Sequence, residues 1–128
     1  MKIKTLAVAL VILMLAACRT APTIYNVSAA PVVSNLASPT KDDVKKAITR
    51  AGATLGWTLR DNGPDAMIGT LALRTHVAVV DIPYSAKDYS IIYKDSTNLN
   101  YTGTSIHANY TGWIKNLEKG IEAQLKNM

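Results

Sequence analysis

At 128 residues the chain can hold one hydrophobic core and is too short for two. A single cysteine excludes an intrachain disulfide and a multi-cysteine metal centre, and with no Phe the large core pieces must come from Trp57, Trp113 and several of the six tyrosines. A net charge of +5, from 14 basic and 9 acidic residues, is too mild for the basic stripe that nucleic-acid binding requires.

The chain opens with Met1-Lys2-Ile3-Lys4, a basic start, followed by an apolar run from Leu6 to Ala17. About a dozen residues is the length of the apolar part of a signal peptide, and it falls short of the roughly 20 that cross ~30 Å of hydrocarbon. Leu15-Ala16-Ala17-Cys18 resembles the bacterial lipobox. The resemblance implies that the Cys18 thiol takes a diacylglyceryl group, that residues 1–17 are cut away, and that the new amino group is acylated too. Two or three acyl chains, at ~0.8 kcal/mol per buried CH₂, anchor stably where one does not. Arg19 stands where Asp would hold a Gram-negative lipoprotein in the inner membrane, so the resemblance implies the outer membrane. An ordinary signal peptide with an incidental cysteine, or an uncleaved anchor, is the plainer alternative. Losing Lys2 and Lys4 with the leader leaves 12 basic against 9 acidic residues, a net +3, which permits contact with anionic lipid or polysaccharide. Export makes nucleic acid an unsuitable partner, and an acylated Cys18 is neither nucleophile nor metal ligand.

Residues 18–39 read as the lipidated cysteine and a tether rich in Ala, Ser, Pro and Asn. Such a chain has an r.m.s. reach of roughly 25 Å. Within it, "TIYNV" has the make-up of an added edge strand. The domain proper is expected over residues 40–128. It opens on a helix: Thr40 is a good N-cap, Asp43 lies three residues on, and Val44, Ala47, Ile48, Ala51 and Leu55 recur at helical spacing. Gly56 suits the left-handed residue that ends it. "WTLR" predicts a short strand with Trp57 and Leu59 on one face, and "DNGPD" a turn.

"MIGTLALRTHVAVVDI" alternates, and reads as one strand. Leu71, Leu73, Val77 and Val79 then share one face, and Thr70, Ala72, Arg74, His76, Ala78 and Val80 the other. "YSIIYKD" makes the third strand, with Tyr89, Ile91 and Tyr93 opposite Ser90, Ile92 and Lys94. After a long polar loop, Asn109 caps a closing helix whose apolar stripe is Tyr110, Trp113, Ile114, Leu117, Ile121 and Leu125. The fold class is α+β: a three-stranded, with the edge strand four-stranded, antiparallel sheet carrying both helices on its Leu/Val face, in the order (β)-α-β-β-β-α.

Familiar catalytic constellations are weak. Phosphate loop and nucleophile elbow have no match. Zinc would need His76 and His107, far apart in sequence, with carboxylates. Asp81, Asp88, Asp95, Glu118 and Glu122 offer no evident pair for glycoside cleavage. Ser96, His107 and Asp95 make a poor triad, since adjacent Asp and Ser seldom converge on one His. No catalytic residue, metal site or cofactor is expected. Two features ask for more. Arg74 and His76, two apart on the expected strand, leave the same face away from the helices: either a wet sheet face or an anion site. "YKDSTNLNYTGTSIHANY" is dense in Asn, Ser, Thr and Tyr: either a loop ordered by its own hydrogen bonds or a surface for sugar hydroxyls or a peptide.

"LRTHVAVVDIPY", "YSIIYKDSTNL" and "IHANYTGWIKNLEKGI" together resemble a group of small bacterial lipoproteins. Arg74, His76, Tyr93, Asp95, Ser96, Asn98, His107 and Trp113 carry the pattern. The resemblance implies the envelope location and one compact α+β domain, and brings no activity, cofactor or catalytic residue. The expectation is a lipid-anchored, non-enzymatic protein that binds or scaffolds an envelope component, a protein partner ahead of a glycan. A saccharide-binding module is the second reading and a small hydrolase the third. Arg74, His76, Tyr93, Asp95, Ser96, Asn98 and His107 are the candidate binding residues.

Overall fold

The computed structural model describes residues 22–128. Cys18, the leader and Arg19 lie outside the described residues. Seven elements follow in order: β1 (Val27–Pro31), α1 (Lys41–Thr54), β2 (Thr58–Asp61), β3 (Ala66–Leu73), β4 (His76–Pro83), β5 (Asp88–Thr97) and α2 (Ala108–Lys126). The five strands form one antiparallel sheet in the order β1-β5-β4-β3-β2. The class is the expected α+β, with two strands more than the three-stranded reading. Among the described residues no helix is long and apolar enough to cross a membrane.

The first extra strand comes from a hairpin hidden in the alternating run. β3 and β4 meet at Arg74 and Thr75, with Leu73 opposite His76. Arg74 takes φ +56°, a left-handed conformation uncommon for a residue with a Cβ. A two-residue turn pairs odd positions with even ones, so Leu71 faces Ala78 and Gly69 faces Val80. The helix-facing set is therefore Met67 and Leu71 with Ala78, Val80 and Ile82, all buried, whereas Leu73 is exposed and Val77 and Val79 stand on the other face. The single-strand reading had kept parity and assigned Val77, Val79 and His76 to the wrong sides.

The second extra strand is β1, in the stretch read as tether. Val27 pairs with Ile91 and Pro31 with Asp88, and a bulge lies between, where Ala29 has φ +47°. The edge strand thus begins where "TIYNV" ends. Upstream, Thr23 bridges Ser105, and downstream the Val32 amide donates to the Lys87 carbonyl at 2.8 Å. The folded unit accordingly starts at the first described residues, well before Thr40.

Both helices cover one face. Val44, Ala47, Ile48 and Ala51 of α1, and Tyr110, Ile114, Leu117, Ile121 and Leu125 of α2, join the sheet residues in one buried cluster. Small residues set the spacing: a Cβ on Gly120 would come within 3.3 Å of the Ala51 Cβ, and one on Gly69 within 3.3 Å of the Trp57 indole. Trp113, expected in the buried stripe, is only half-buried at the rim. α1 begins as read, with Thr40 Oγ1 accepting from the Asp43 amide at 3.1 Å and the Asp43 carboxylate accepting from the Thr40 amide at 2.9 Å. The bond from the Thr40 amide, with the Thr40 hydroxyl beside it, holds the Asp43 carboxyl below its ordinary value. α2 starts at Ala108 and is capped by His107, two residues before the expected cap Asn109.

Candidate functional site

The β3–β4 turn, the loop from β5 to α2 and the first turns of α2 gather at one end of the sheet. Asn98, at φ +58°, joins two of them: its side-chain amide donates to the Thr75 carbonyl at 3.1 Å, and its own carbonyl lies 2.8 Å from His76 Nδ1. A carbonyl oxygen cannot donate, so His76 carries its proton on Nδ1 and leaves Nε2 as an acceptor. His107 has the opposite arrangement. Its Nδ1 accepts from the Asn109 amide at 3.1 Å, which puts the proton of the neutral ring on Nε2. The two imidazoles stack with centroids 6.3 Å apart, and Trp113 lies 6.5 Å from His76.

Beside them stands a tyrosine group. Tyr93 stacks on Tyr101 at 4.3 Å and meets Tyr110 edge-on at 5.7 Å, while its hydroxyl bonds to Ser96 Oγ at 2.8 Å. Burial raises the Tyr93 phenol above its ordinary value, and the Ser96 bond opposes that rise. β5 bulges where Val79 faces Asp95 and Val80 faces Tyr93, and on its β1 side the Tyr93 amide donates to Asn26 Oδ1 at 2.9 Å, just ahead of the first β1 pair.

Of the sequence-derived candidates, His76, Asn98 and His107 meet, and Tyr93 and Ser96 meet next to them. Arg74 and Asp95 do not join. Arg74 is exposed in the turn rather than on a strand, and His76 points to the helix side rather than the open face, so the proposed pairing of Arg74 with His76 is corrected by the parity switch of the hairpin. Asp95 is exposed, pairs with Val79 on the face away from the helices, and accepts from the Ser96 amide at 2.8 Å. Asp95, Ser96 and His107 therefore bond to three different partners and not to one another in the order a hydrolytic triad needs. Among the described residues no three of His, Cys, Asp and Glu gather as metal ligands would.

The sequence reading missed the apolar part of this end. Leu55, Trp57, Leu71, Leu73, Trp113 and Asn116 line a shallow indentation of about 60 Å³. Leu55, Leu73 and Tyr101 are 38%, 44% and 46% exposed. The only advance signal was the apolar Leu73 placed directly before a charged residue. A second groove, about 120 Å³, lies at the opposite end between Ala30, Pro31, Val33, Glu122, Leu125 and Lys126. Comparison with known families, curated proteins and solved structures finds no match for this chain.

Proposed function

We propose that the protein is a lipid-anchored, non-enzymatic component of the cell envelope, held at the periplasmic side of the outer membrane through Cys18, that binds or scaffolds another envelope protein. The observation that carries the reading is Leu15-Ala16-Ala17-Cys18 placed directly after a basic start and a short apolar run. Its resemblance to the small lipoproteins named above supports the same location. The use of the polar side chains supports binding over catalysis: His76 Nδ1, His107 Nδ1, Ser96 Oγ and the Asp95 carboxylate are each engaged in a hydrogen bond that orders the loop or the helix start. A saccharide ligand is the second reading. It is favoured by Tyr101, whose ring is stacked on Tyr93 yet exposed, beside Asn100 and Thr102.

Cys18→Ser tests the anchor. Palmitate labelling and membrane sedimentation are expected to vanish while the far-ultraviolet spectrum of the protein stays unchanged. Labelling and sedimentation that persist would refute it. Pull-down from detergent-solubilised membranes, set beside sedimentation with purified sacculi, separates the partners: a stoichiometric protein supports the scaffold, and co-sedimentation supports the saccharide reading.

A further inference from the structure

We infer that the end of the domain formed by the β3–β4 turn, the β5–α2 loop and the start of α2 is a membrane-docking surface that rests on the anionic headgroups of the bilayer. The inference builds on the lipid anchor proposed above.

Chain length comes first. The Pro22 carbonyl accepts from the Ile106 amide at 3.1 Å, and the Ile24 amide donates to the Thr104 carbonyl at 3.3 Å. Thr23 bridges Ser105 between them. The chain therefore leaves the domain at this end, fixed to the β5–α2 loop. From Cys18 to Pro22 is four residue steps, at most about 14 Å when fully extended. α2 runs from this end to the opposite one over 19 residues, about 28 Å at 1.5 Å per residue. With the opposite end against the bilayer, Pro22 would stand about twice the leash length above the lipid. An acylated Cys18 forbids that pose.

Surface chemistry selects among the poses that remain. Leu55, Leu73 and Tyr101 are three of the five exposed large apolar side chains among the described residues, and the half-buried Trp113 lines the same indentation as the first two. Apolar side chains beside Trp and Tyr suit the headgroup level, where one side of a ring is wet and the other is not. The segments that build this end, residues 22–26, 55–57, 73–76 and 98–116, contain Arg74, Lys115 and both histidines and no Asp or Glu; just beyond them, the Glu118 carboxylate accepts from the Tyr25 hydroxyl at 3.1 Å. Asp42, Asp43, Asp61, Asp65, Asp88 and Glu122, six of the nine acidic residues, belong to the opposite end, where Lys41, Lys45, Lys46, Lys87 and Lys126 offset most of their charge. A negative surface, felt within a Debye length of ~8 Å at physiological salt, attracts the first end more than the second, where the two signs nearly cancel.

The test uses the full-length lipidated protein in vesicles of phosphatidylethanolamine and phosphatidylglycerol. An environment-sensitive fluorophore is placed at Thr75→Cys, Ala108→Cys or Lys87→Cys, all exposed positions, the last at the opposite end; the acylated Cys18 takes no label. Quenching by a headgroup spin-labelled lipid is expected to be several-fold stronger at positions 75 and 108 than at 87. Adding Arg74→Glu to the Ala108→Cys protein is expected to reduce that contrast. Equal quenching at all three positions overturns the docking surface. Intact mass of the same samples separates the causes. Equal quenching with the acyl chains present refutes docking and leaves the anchor standing; a mass without acyl chains refutes the anchor and the docking with it.

Discussion

At the end of the domain where α1 begins, Lys41 meets Asp65 at 2.6 Å, Lys45 meets Asp61 at 2.9 Å and Lys46 meets Asp42 at 3.1 Å. At the other end, where α1 finishes and α2 starts, none of the ion pairs among the described residues is found. Imidazole, amide and hydroxyl groups bond to backbone there, and Arg74, Asn98 and Asn100 hold left-handed φ values. The first end is built from exposed ion pairs, which are screened by solvent and easily replaced. The second is built from side-chain bonds to backbone and from non-glycine residues in left-handed conformations, the condition in which functional surfaces tend to be held. On the docking proposal, the exposed apolar side chains beside this hydrogen-bonded loop make the second end the one that rests on the bilayer.

The sharpest way to test the contrast is to truncate one residue of the shared core and one of the rim. Leu117→Ala, fully buried between the ends, is expected to cost about 2–5 kcal/mol. Trp113→Ala is expected to cost about 1–2 kcal/mol, because the ring is only half-buried. Urea denaturation measures both. Equal losses would place Trp113 in the core and remove it from the docking surface.

A second test is alkaline titration, since a buried phenol sits toward each end. Burial raises the hydroxyls of Tyr89 and Tyr110 well above the ordinary 10.0, and among the described residues neither has a hydrogen-bond partner. A folded value above the unfolded one means that their contribution is intact below pH 10 and is lost as pH rises through the folded value. Stability is expected to be insensitive to these two groups up to about pH 10 and to fall above it, with the absorbance change of these two phenols appearing only as the fold is lost. Tyr110→Phe should delay that fall. Full ionisation of all tyrosines before unfolding would contradict the burial.

The smallest effects concern the caps, one at each end. Thr40→Ala removes a reciprocal cap and is expected to cost about 1 kcal/mol. The Asp43 half of that cap is present above the ordinary carboxylate pKa of 3.8 and is lost as pH falls through its lowered value. His107→Asn, which keeps a capping acceptor, is expected to stay within about 0.5 kcal/mol of wild type while removing the stack on His76. A larger loss would give the imidazole pair a structural role beyond the cap.

Legibility in the sequence divides along the same line. Thr40 and Asp43, three residues apart, announce α1, and Gly56, at φ +85°, ends it as read, because those signals are local. The apolar stripe of α2 is local too. The β3–β4 hairpin was hidden because its turn is Arg-Thr, without the Gly, Asn or Asp that two-residue turns favour. Missing it inverted the faces of β4, sent His76 to the open side and left the meeting of His76 with His107 unseen. β1 was placed a few residues early because an Ala- and Pro-containing edge strand has no pattern of its own; its partner strand defines it. Five of the candidate residues, His76, Tyr93, Ser96, Asn98 and His107, are conspicuous in the sequence as polar or aromatic side chains. Their grouping is not, since it depends on a turn and a bulge rather than on composition.

The measurement that bears most directly on the account is the intact mass of the protein extracted from membranes. The account predicts a chain that begins at Cys18 and carries the added mass of a diacylglyceryl group and an amino-terminal acyl chain. A chain that keeps residues 1–17, or one that begins elsewhere and bears no lipid, would contradict it.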